Sequence, residues 1–308
     1  MNRWVIPYID QDLSFWQKIS DLYGSNIHEV YLPAPGDVFP NGRSKQPSIH
    51  LKTFLKESTL PKAVLINPIL LPQPVDEMGP GLVEILQTLR EEYGVCRVTV
   101  TSLQLARQIK ESLPEFKITA SVLMGITTPA QVLTARDFVD AISPDTRLTR
   151  DIPGLRRIRK AFNGEIRLLV NEACLPGCLY RTQHFYEMAY SSKFPRSLSQ
   201  QTLDEYPWLR MTGAWVLPQH LHYYDGLYDT LKLAGRVTLQ DPNKYIKVLN
   251  AYIHRKPLLP DEIGGGPASI LDKMEIPDEV FETILICSKN CDACPYCRDY
   301  YQTALRNG

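Results

Sequence analysis

Four cysteines near the C-terminal end of the sequence have the spacing of an inorganic ligand set. The stretch CSKNCDACPYC holds Cys287, Cys291, Cys294 and Cys297 within eleven residues. A C-x2-C-x2-C run with a further cysteine nearby has the ligand density that bacterial ferredoxins use for a [4Fe-4S] cluster. Here the extra cysteine precedes the run. The spacing favours a [4Fe-4S] cluster and leaves open which thiolates bind it.

Zinc is the alternative occupant of these cysteines. Structural zinc sites normally combine two C-x2-C pairs from separate turns a dozen or more residues apart, whereas the four cysteines here follow one another in one short segment. The first three also spell C-x3-C-x2-C, which is typical of radical S-adenosylmethionine enzymes. Those enzymes carry the motif after the first strand of their barrel, so this interpretation is the least favoured.

A second cysteine pair lies in the stretch VNEACLPGCLYRTQH. Pro176 and Gly177 predict a tight turn that would let the thiolates of Cys174 and Cys178 face one ion or cluster. The structural alternative is that both cysteines are small buried hydrophobic residues. The same stretch contains four further candidates for chemistry, namely Asn171, Glu172, Arg181 and His184.

The candidate residues named above must be positioned by secondary structure, and short apolar, β-branched runs are the candidate strands. They alternate along the chain with amphipathic stretches such as LSFWQKISDLYG, GLVEILQTLREEYG and PNKYIKVLNAYI. Eight runs are predicted as strands, at residues 4–9, 29–32, 63–66, 97–101, 117–122, 139–142, 166–170 and 230–233.

This alternation predicts an α/β protein with a (β/α)8, TIM-like barrel. The alternative is an open α/β sheet with an irregular second domain. No G-x-G-x-x-G motif follows the first strand, which removes the usual argument for a dinucleotide-binding fold. Active sites of such barrels form at the carboxyl ends of the strands, so we expect the cysteine pair after the seventh strand to lie there.

The eighth strand is followed by a cluster of positive charge. Lys232 and Arg236 flank Gly235 and could hold a carboxylate or a phosphate. The alternative is that both cations form ordinary salt bridges. His220 and His222 precede this strand, and we favour surface positions for both over positions in a pocket.

We expect two parts in the chain. Residues 1–255 would form the barrel, and residues 256–308 a Pro- and Gly-rich linker followed by a cysteine-rich iron-sulfur tail that packs on the barrel. A polar and aromatic insertion at residues 191–209 is predicted to be a lid or a binding loop.

Charge and cysteine usage restrict the partners. Lys and Arg number 34 and Asp and Glu number 34, which weakens a nucleic-acid partner without excluding it and argues against a membrane surface. No apolar run approaches the ~18 residues of a membrane span, and the seven bunched cysteines do not resemble a secreted disulfide framework. We expect a cytoplasmic protein with a small-molecule substrate. A homologous subunit or an electron donor is the other partner to expect.

These stretches, together with WVLPQHLHYYDGLYDTLKLAGR, resemble the peptidase U32 family over residues 60–300. In that family an Asn-Glu pair, cysteines, Arg and His are followed by a W-[VI]-x-P segment and by K-[LI]-x-G-R. The resemblance implies a TIM-like barrel and, in several members, a cysteine-ligated [4Fe-4S] cluster. The positions that match the family are Cys174, Cys178, Arg181, His184, Lys232, Gly235 and Arg236.

The resemblance leaves the reaction open. Some members of the family are named collagenase-like peptidases, and others take part in oxygen-independent hydroxylation. The collagenase-like members carry a longer signature and an extra domain that are not apparent here. This sequence also concentrates most of its cysteines in the tail.

Our leading hypothesis is an oxygen-independent, iron-sulfur-dependent redox enzyme, hydroxylase-like, that acts on a small anionic or aromatic molecule at the barrel mouth. The predicted catalytic residues are Glu172, His184 and Arg181. The predicted substrate-binding residues are Asn171, Lys232 and Arg236. The predicted metal ligands are the six clustered cysteines, namely Cys174, Cys178, Cys287, Cys291, Cys294 and Cys297. Barrel-rim carboxylates and imidazoles are suited to proton transfer. The structural alternatives are that Glu172 pairs with Arg181 or Lys232 and that the His184 ring packs in a helix.

Two other functions stay open. A U32-type peptidase would need the thiolates or a bound metal, because no Ser-His-Asp signature, G-x-S-x-G or H-E-x-x-H motif is present. A non-catalytic iron-sulfur partner or redox-sensing subunit is the third hypothesis.

Overall fold

Eight parallel strands close into one barrel in the order of the sequence. The computed structural model describes residues 3–35, 41–42, 48–172, 174–175, 177–191, 200–263 and 273–307. The strands are β1 (Arg3–Pro7), β2 (Ile27–Pro33), β3 (Lys62–Ile66), β4 (Arg97–Val100), β5 (Lys117–Ala120), β6 (Ala141–Ile142), β7 (Glu165–Leu169) and β8 (Thr230–Lys232). The predicted (β/α)8 TIM-like barrel is confirmed, and each predicted strand overlaps an observed one.

Side-chain alternation gives the strands an outer and an inner face. Trp4 and Ile6 of β1 join the main core under the helices. Val5, which lies between them, joins a separate small cluster with Tyr31, Ala63 and Leu65. Because successive strand residues point to opposite faces, this second cluster fills part of the barrel interior.

Helices surround the barrel. They are α1 (Leu13–Tyr23), α2 (Leu51–Glu57), α3 (Val75–Tyr93), α4 (Leu103–Ser112), α5 (Pro129–Ala135), α6 (Ile152–Ala161), α7 (Arg181–Tyr190), α8 (Gln200–Glu205), α9 (Pro242–Ile253), α10 (Asp278–Leu285) and α11 (Tyr296–Asn307). Side-chain caps fix several starts: Asp12, for example, accepts the Phe15 amide of α1. Of the helices in the described ranges, none has the length and apolar character needed to cross a membrane.

Helix α3 begins at Val75, before the amphipathic stretch that starts at residue 81. Pro80 lies inside the helix, although proline has no amide hydrogen to donate there. Asp76 and Glu77 lie in the first turn, where carboxylates interact favourably with the helix dipole. The first turn therefore forms despite the proline that follows it.

The described part of the tail packs on the barrel through aromatic contacts. Phe281 of α10 is fully buried, and its ring stacks on His220 with the centroids 4.1 Å apart. The Nε2 of His220 donates to the Ile276 carbonyl oxygen (3.0 Å). The surface position favoured for His220 is therefore wrong, because this side chain is fully buried; His222 is exposed as expected. Residues 264–272 of the predicted linker and residues 192–199 of the predicted insertion lie outside the described residues.

A buried ionic network occupies the amino-terminal end of the barrel. Arg167 of β7 is 3% exposed and forms ion pairs with Glu29 of β2, which is 1% exposed, and with Glu165 (2.8 Å). Burial alone would lower the pKa of Arg167, but the charges of Glu29 and Glu165 outweigh burial and raise it. Arg97 of β4 lies 3.4 Å from the same Glu29 carboxylate. The network thus joins strands that are not neighbours in the barrel.

A bulge in β2 brings a further side chain to this network. Trp4 lies opposite Ile27 and Val5 lies opposite Glu29, so β2 carries one extra residue, His28. The His28 ring reaches Glu165 across the barrel (3.2 Å). Its hydrogen bond to Glu165 and the charge of Arg167 hold the pKa of Glu165 below its ordinary range, although burial acts in the opposite direction. A cavity of about 660 Å³ opens beside the network between the strand starts.

We predict that Arg167→Met lowers the free energy of unfolding by about 3–5 kcal/mol, because it leaves buried carboxylates without their cation. Urea unfolding measures this loss. The exposed arginine Arg107, paired with Glu111, provides the control, since Arg107→Met should cost no more than about 1 kcal/mol. The double variant Glu29→Gln/Arg167→Met should recover part of the loss. A double variant that loses the full sum of both single changes would show that the pair is not coupled.

We predict that docking of the tail weakens as the pH falls from 7 to 4. Burial lowers the pKa of His220 to about 4, and the nearby carboxylate of Asp278 only partly opposes this. The unfolded chain binds a proton at His220 below about 6.5, whereas the folded chain does not until about 4. This contribution to stability is therefore complete above pH 6.5 and is lost as the pH falls towards 4.

Unfolding measured across this pH range tests the prediction with His220→Phe as the control. The phenyl ring can keep the stacking on Phe281 but cannot titrate. The free energy of unfolding should fall more steeply with acid in the unsubstituted protein than in His220→Phe. Parallel pH profiles would contradict the assignment to His220.

Candidate active site at the carboxyl-terminal mouth of the barrel

A 3-10 helix after β6, Thr146–Arg150, contacts the segment that follows the cysteine pair. The Thr146 hydroxyl accepts a hydrogen bond from Nη1 of Arg181 (2.7 Å). The start of α7 is therefore tied to the loop after β6 at the barrel mouth. That the two cysteine groups converge on one centre stays a prediction.

The cysteine pair lies in the turn that follows β7. Gly177 has φ 71°, in the left-handed region that favours glycine, and the Cys178 amide donates to the Leu175 carbonyl oxygen (3.2 Å). The Glu172 carboxylate accepts the Cys174 amide (3.1 Å). Burial, followed by the charge of Glu172, raises the pKa of Cys174 well above its ordinary value. The Cys174 thiol is thus protonated at neutral pH and is a poor nucleophile in this state.

Arg181 and His184 lie in the first turns of α7. Arg181 is 15% exposed and lies 3.5 Å from the buried carboxylate of Asp145, so its ion pair joins α7 to the loop after β6. His184 is half-buried, and its ring lies 6.0 Å from that of Phe185. The catalytic roles of Glu172, Arg181 and His184 stay predictions.

Asn171 connects the ends of β7 and β8 through side-chain hydrogen bonds. Its side-chain amide donates to the carbonyl oxygens of Ala234 (2.8 Å) and Ile263 (3.0 Å), and its carbonyl accepts the Ala234 amide (2.6 Å). These bonds hold the backbone that leads to Gly235. A substrate-binding role for Asn171 stays a prediction, and the observed contacts place it as a residue that positions the segment with the two cations.

Two cations lie close to one aromatic ring at the mouth. The Lys232 ammonium lies 4.5 Å from the centroid of Tyr31 and the Arg236 guanidinium lies 5.9 Å from it. The Tyr31 hydroxyl donates to the Leu233 carbonyl oxygen (2.9 Å) and so fixes the ring between β2 and β8. Gly235 has φ 149°, and a side chain there would collide with Leu239. This geometry concentrates positive charge where the sequence predicted an anion site.

The four tail cysteines influence one another electrostatically. Burial, followed by the charges of Cys287, Cys291 and Cys294, raises the pKa of Cys297 to about 11. The sulfur of Cys287 accepts a hydrogen bond from the backbone amide of Lys289 (3.2 Å), a residue held at φ 61°. Cys291 and Cys294 are exposed, and Cys287 and Cys297 are half-buried. The segment therefore carries four free thiols, two of them exposed.

Arg150 is a charged residue at this site that the sequence reasoning missed. Its guanidinium lies 4.7 Å from the ring centroid of Trp215 and 4.7 Å from that of Phe281. Asp145 was also missed. Both belong to the stretch SPDTRLTR directly after β6, so the rule that polar residues beyond each barrel strand are candidates would have found them.

The fit of a metal centre to these residues rests on donor chemistry alone. The four tail thiols are donors of the type that zinc and iron-sulfur centres use. Within the described ranges, however, no three His, Cys, Asp or Glu side chains are arranged closely enough to hold a metal ion. A metal centre at these cysteines therefore stays a prediction.

Comparison with known proteins found one named relative and a common fold. No family model matches the chain. An uncharacterized protease of Methanocaldococcus jannaschii, MJ1657, is 26% identical over 197 residues, which are 54% of this chain and 54% of that protein. The chain thus spans about half the length of the curated relative it matches.

Among solved structures, the U32 peptidase Mk0906 shares the fold. Its TM-score is 0.55 at 13% sequence identity, and the match covers 75% of this chain and 92% of that chain. At this identity the likeness establishes the fold alone. The resemblance deduced from the two central stretches and the two comparisons point in the same direction.

Proposed function

We propose that this chain is a member of the peptidase U32 family and that it is an enzyme whose site lies at the carboxyl-terminal mouth of the barrel. The similarity to a named protease and the fold shared with a U32 peptidase support this proposal. The mouth is polar and cationic, and it carries a carboxylate, an imidazole and the thiols after β7. Hydrolysis of peptides is the activity that these relatives favour.

The cation pair at Tyr31 would bind a carboxylate of the peptide, because Lys232 and Arg236 both lie close to this ring. Glu172, rather than a cysteine, would begin the reaction, since the Cys174 thiol is held protonated by burial. Glu172 would take a proton from a water molecule whose oxygen attacks the carbonyl carbon. His184 would give a proton to the departing amine, and Arg181 would stabilise the oxyanion.

We predict that Glu172→Gln lowers kcat for peptide hydrolysis by roughly 100-fold or more, because the amide cannot accept the proton. The assay uses unstructured peptides with a free carboxyl terminus and quantifies the newly formed amino groups. Glu84→Gln on the exposed side of α3 is the matched control and should keep full activity. Absence of hydrolysis by the unsubstituted protein over a broad peptide set, or equal rates for both variants, would rule out this mechanism.

A second candidate is the iron-sulfur-dependent, oxygen-independent redox enzyme expected from the cysteines. The observation that favours it is the tail loop, where Lys289 donates to the sulfur of Cys287 and the charge of Arg150 acts on Cys297. The ligands would be Cys287, Cys291, Cys294 and Cys297, with Cys174 and Cys178 as the other candidates. A bound [4Fe-4S] cluster would supply electron transfer beside the barrel mouth. Zinc is the alternative metal.

We predict that protein purified without oxygen is brown, contains iron and sulfide, and loses both on Cys294→Ser. Cys174→Ser should also bleach the protein if the two cysteine groups share one centre, and should leave the colour unchanged if the tail alone binds it. The seventh cysteine, Cys96, is the control, since it lies directly before β4 at the opposite end of the barrel. Colourless protein with bound zinc would replace the redox proposal with a structural site.

A further inference from the structure

A cavity of about 660 Å³ opens at the amino-terminal end of the barrel, opposite the candidate active site. Arg3, Arg97 and Lys117 line it and are the first residues of β1, β4 and β5. Parallel strands of a barrel begin at one end, so these three long side chains meet around one space. Arg136, the residue after α5, also lines the cavity. Its volume is typical of a site for a small molecule.

Positive charge exceeds negative charge in the lining. Arg167 is the fifth cationic side chain there, and the carboxylates number three, those of Asp137, Asp140 and Glu165. The cavity therefore has an excess of two positive charges on its walls.

One of these carboxylates serves two lysines. The ammonium groups of Lys110 and Lys117 each lie 3.2 Å from an oxygen of Asp140. The same carboxylate also accepts the Ile118 amide (2.9 Å). Asp140 therefore has little capacity left to compensate the other cations of the cavity.

Arg97 shares its carboxylate in the same way. It is 30% exposed and lies 3.4 Å from Glu29, which also forms the buried ion pair with Arg167. Glu29 and Lys110 pair with the lining from outside it and have opposite charges. They leave the excess of two positive charges unchanged.

Two arginines of the lining have no strong partner in the described part of the chain. Arg3 is exposed, and among the described residues its guanidinium forms no ion pair and no hydrogen bond. Arg136 is 52% exposed, and its Nε lies 3.8 Å from a carboxylate oxygen of Asp137, which is 76% exposed. An exposed pair at this distance contributes little. Both guanidinium groups can therefore turn towards a ligand.

The polar groups behind these arginines are not all satisfied either. His28 lines the cavity and is 5% exposed. Its Nε2 lies 3.0 Å from Nη1 of Arg97, whereas its Nδ1 has no hydrogen-bond partner within the described ranges. Buried polar atoms normally have one. The described chain therefore does not complete the network by itself.

A structural role explains only part of this arrangement. The amino-terminal end of such barrels serves stability, and the ion pairs of Arg167 fit that role. Cations in excess repel one another, however, and this repulsion lowers stability. We propose that the cavity is a binding site for the phosphate group of a small molecule, held by Arg3, Arg97 and Arg136. The site lies at the other end of the barrel from the mouth and depends on neither proposed function.

A phosphate group fits this charge and geometry better than a carboxylate. It carries about two negative charges and three strong acceptor oxygens, which match the excess charge and the three guanidinium groups. Arginine binds phosphate through two parallel hydrogen bonds. Thr119 and Asn163 line another part of the cavity and offer hydrogen bonds to the rest of the molecule.

Calorimetric titration of the full-length protein with inorganic pyrophosphate at low ionic strength tests the site, and citrate is the carboxylate probe. Pyrophosphate should bind at one saturable site and more tightly than citrate. Arg3→Met and Arg136→Met should each weaken its binding by about tenfold, because each removes a charge-assisted hydrogen bond. Arg3→Lys keeps the charge without the two parallel bonds, so its affinity should lie between those of Arg3→Met and the unsubstituted protein.

The matched control is Arg157→Met, which removes a 60% exposed arginine of α6 outside the lining and should change the affinity by roughly twofold at most. Weaker binding in the Arg3 and Arg136 variants with an unchanged control supports the site. Binding that is lost in Arg236→Met but kept in those variants would assign it to the mouth and overturn the proposal. Tighter binding of citrate would overturn the choice of phosphate, and absence of saturable binding would overturn the site. Urea unfolding verifies that each variant folds.

Discussion

The ion pairs of Arg167 with Glu29 and Glu165 are the constraint on which the geometry of the barrel depends. The pair with Glu29 joins β7 to β2 across the interior, where Arg167 is 3% and Glu29 1% exposed. Charges in such a place are stabilising only when each has its partner. The strands must therefore meet in one register at their amino-terminal ends. Since parallel strands are short and stiff, the same register fixes where their carboxyl ends, and thus the mouth, lie.

The sequence predicted most of the fold because its information is local. Each of the eight β-branched runs, and each helix cap between them, is recognised from a few neighbouring residues. Strand β6 is shorter than predicted, because only Ala141 and Ile142 pair with β5 and β7. Side-chain surroundings were harder to predict. His220 precedes a tyrosine pair and resembles a surface residue, yet it is buried because α10, which lies far along the chain, packs on it.

In the candidate site, too, residue positions were predicted from the sequence but side-chain surroundings were not. Cys174, Lys232 and their neighbours were predicted because they follow directly on strands. Arg150 follows β6 and could have been named by the same rule, but its surroundings could not. The rings of Trp215 and Phe281, which lie 4.7 Å from its guanidinium, come from distant parts of the chain. The number of tail cysteines was evident from the sequence, but the exposure of each one was not.

The two groups of sulfur differ in the chemistry they can offer. Burial, followed by the charge of Glu172, raises the pKa of Cys174 and so disfavours a thiolate there. Burial and the neighbouring thiols also raise the pKa of Cys297, whereas Cys291 and Cys294 are exposed. The cations at Tyr31 would attract a carboxylate in either reaction, whether a peptide is hydrolysed or a small anion is reduced. The cations at the mouth therefore fit both proposed reactions, whereas only the redox proposal depends on the tail.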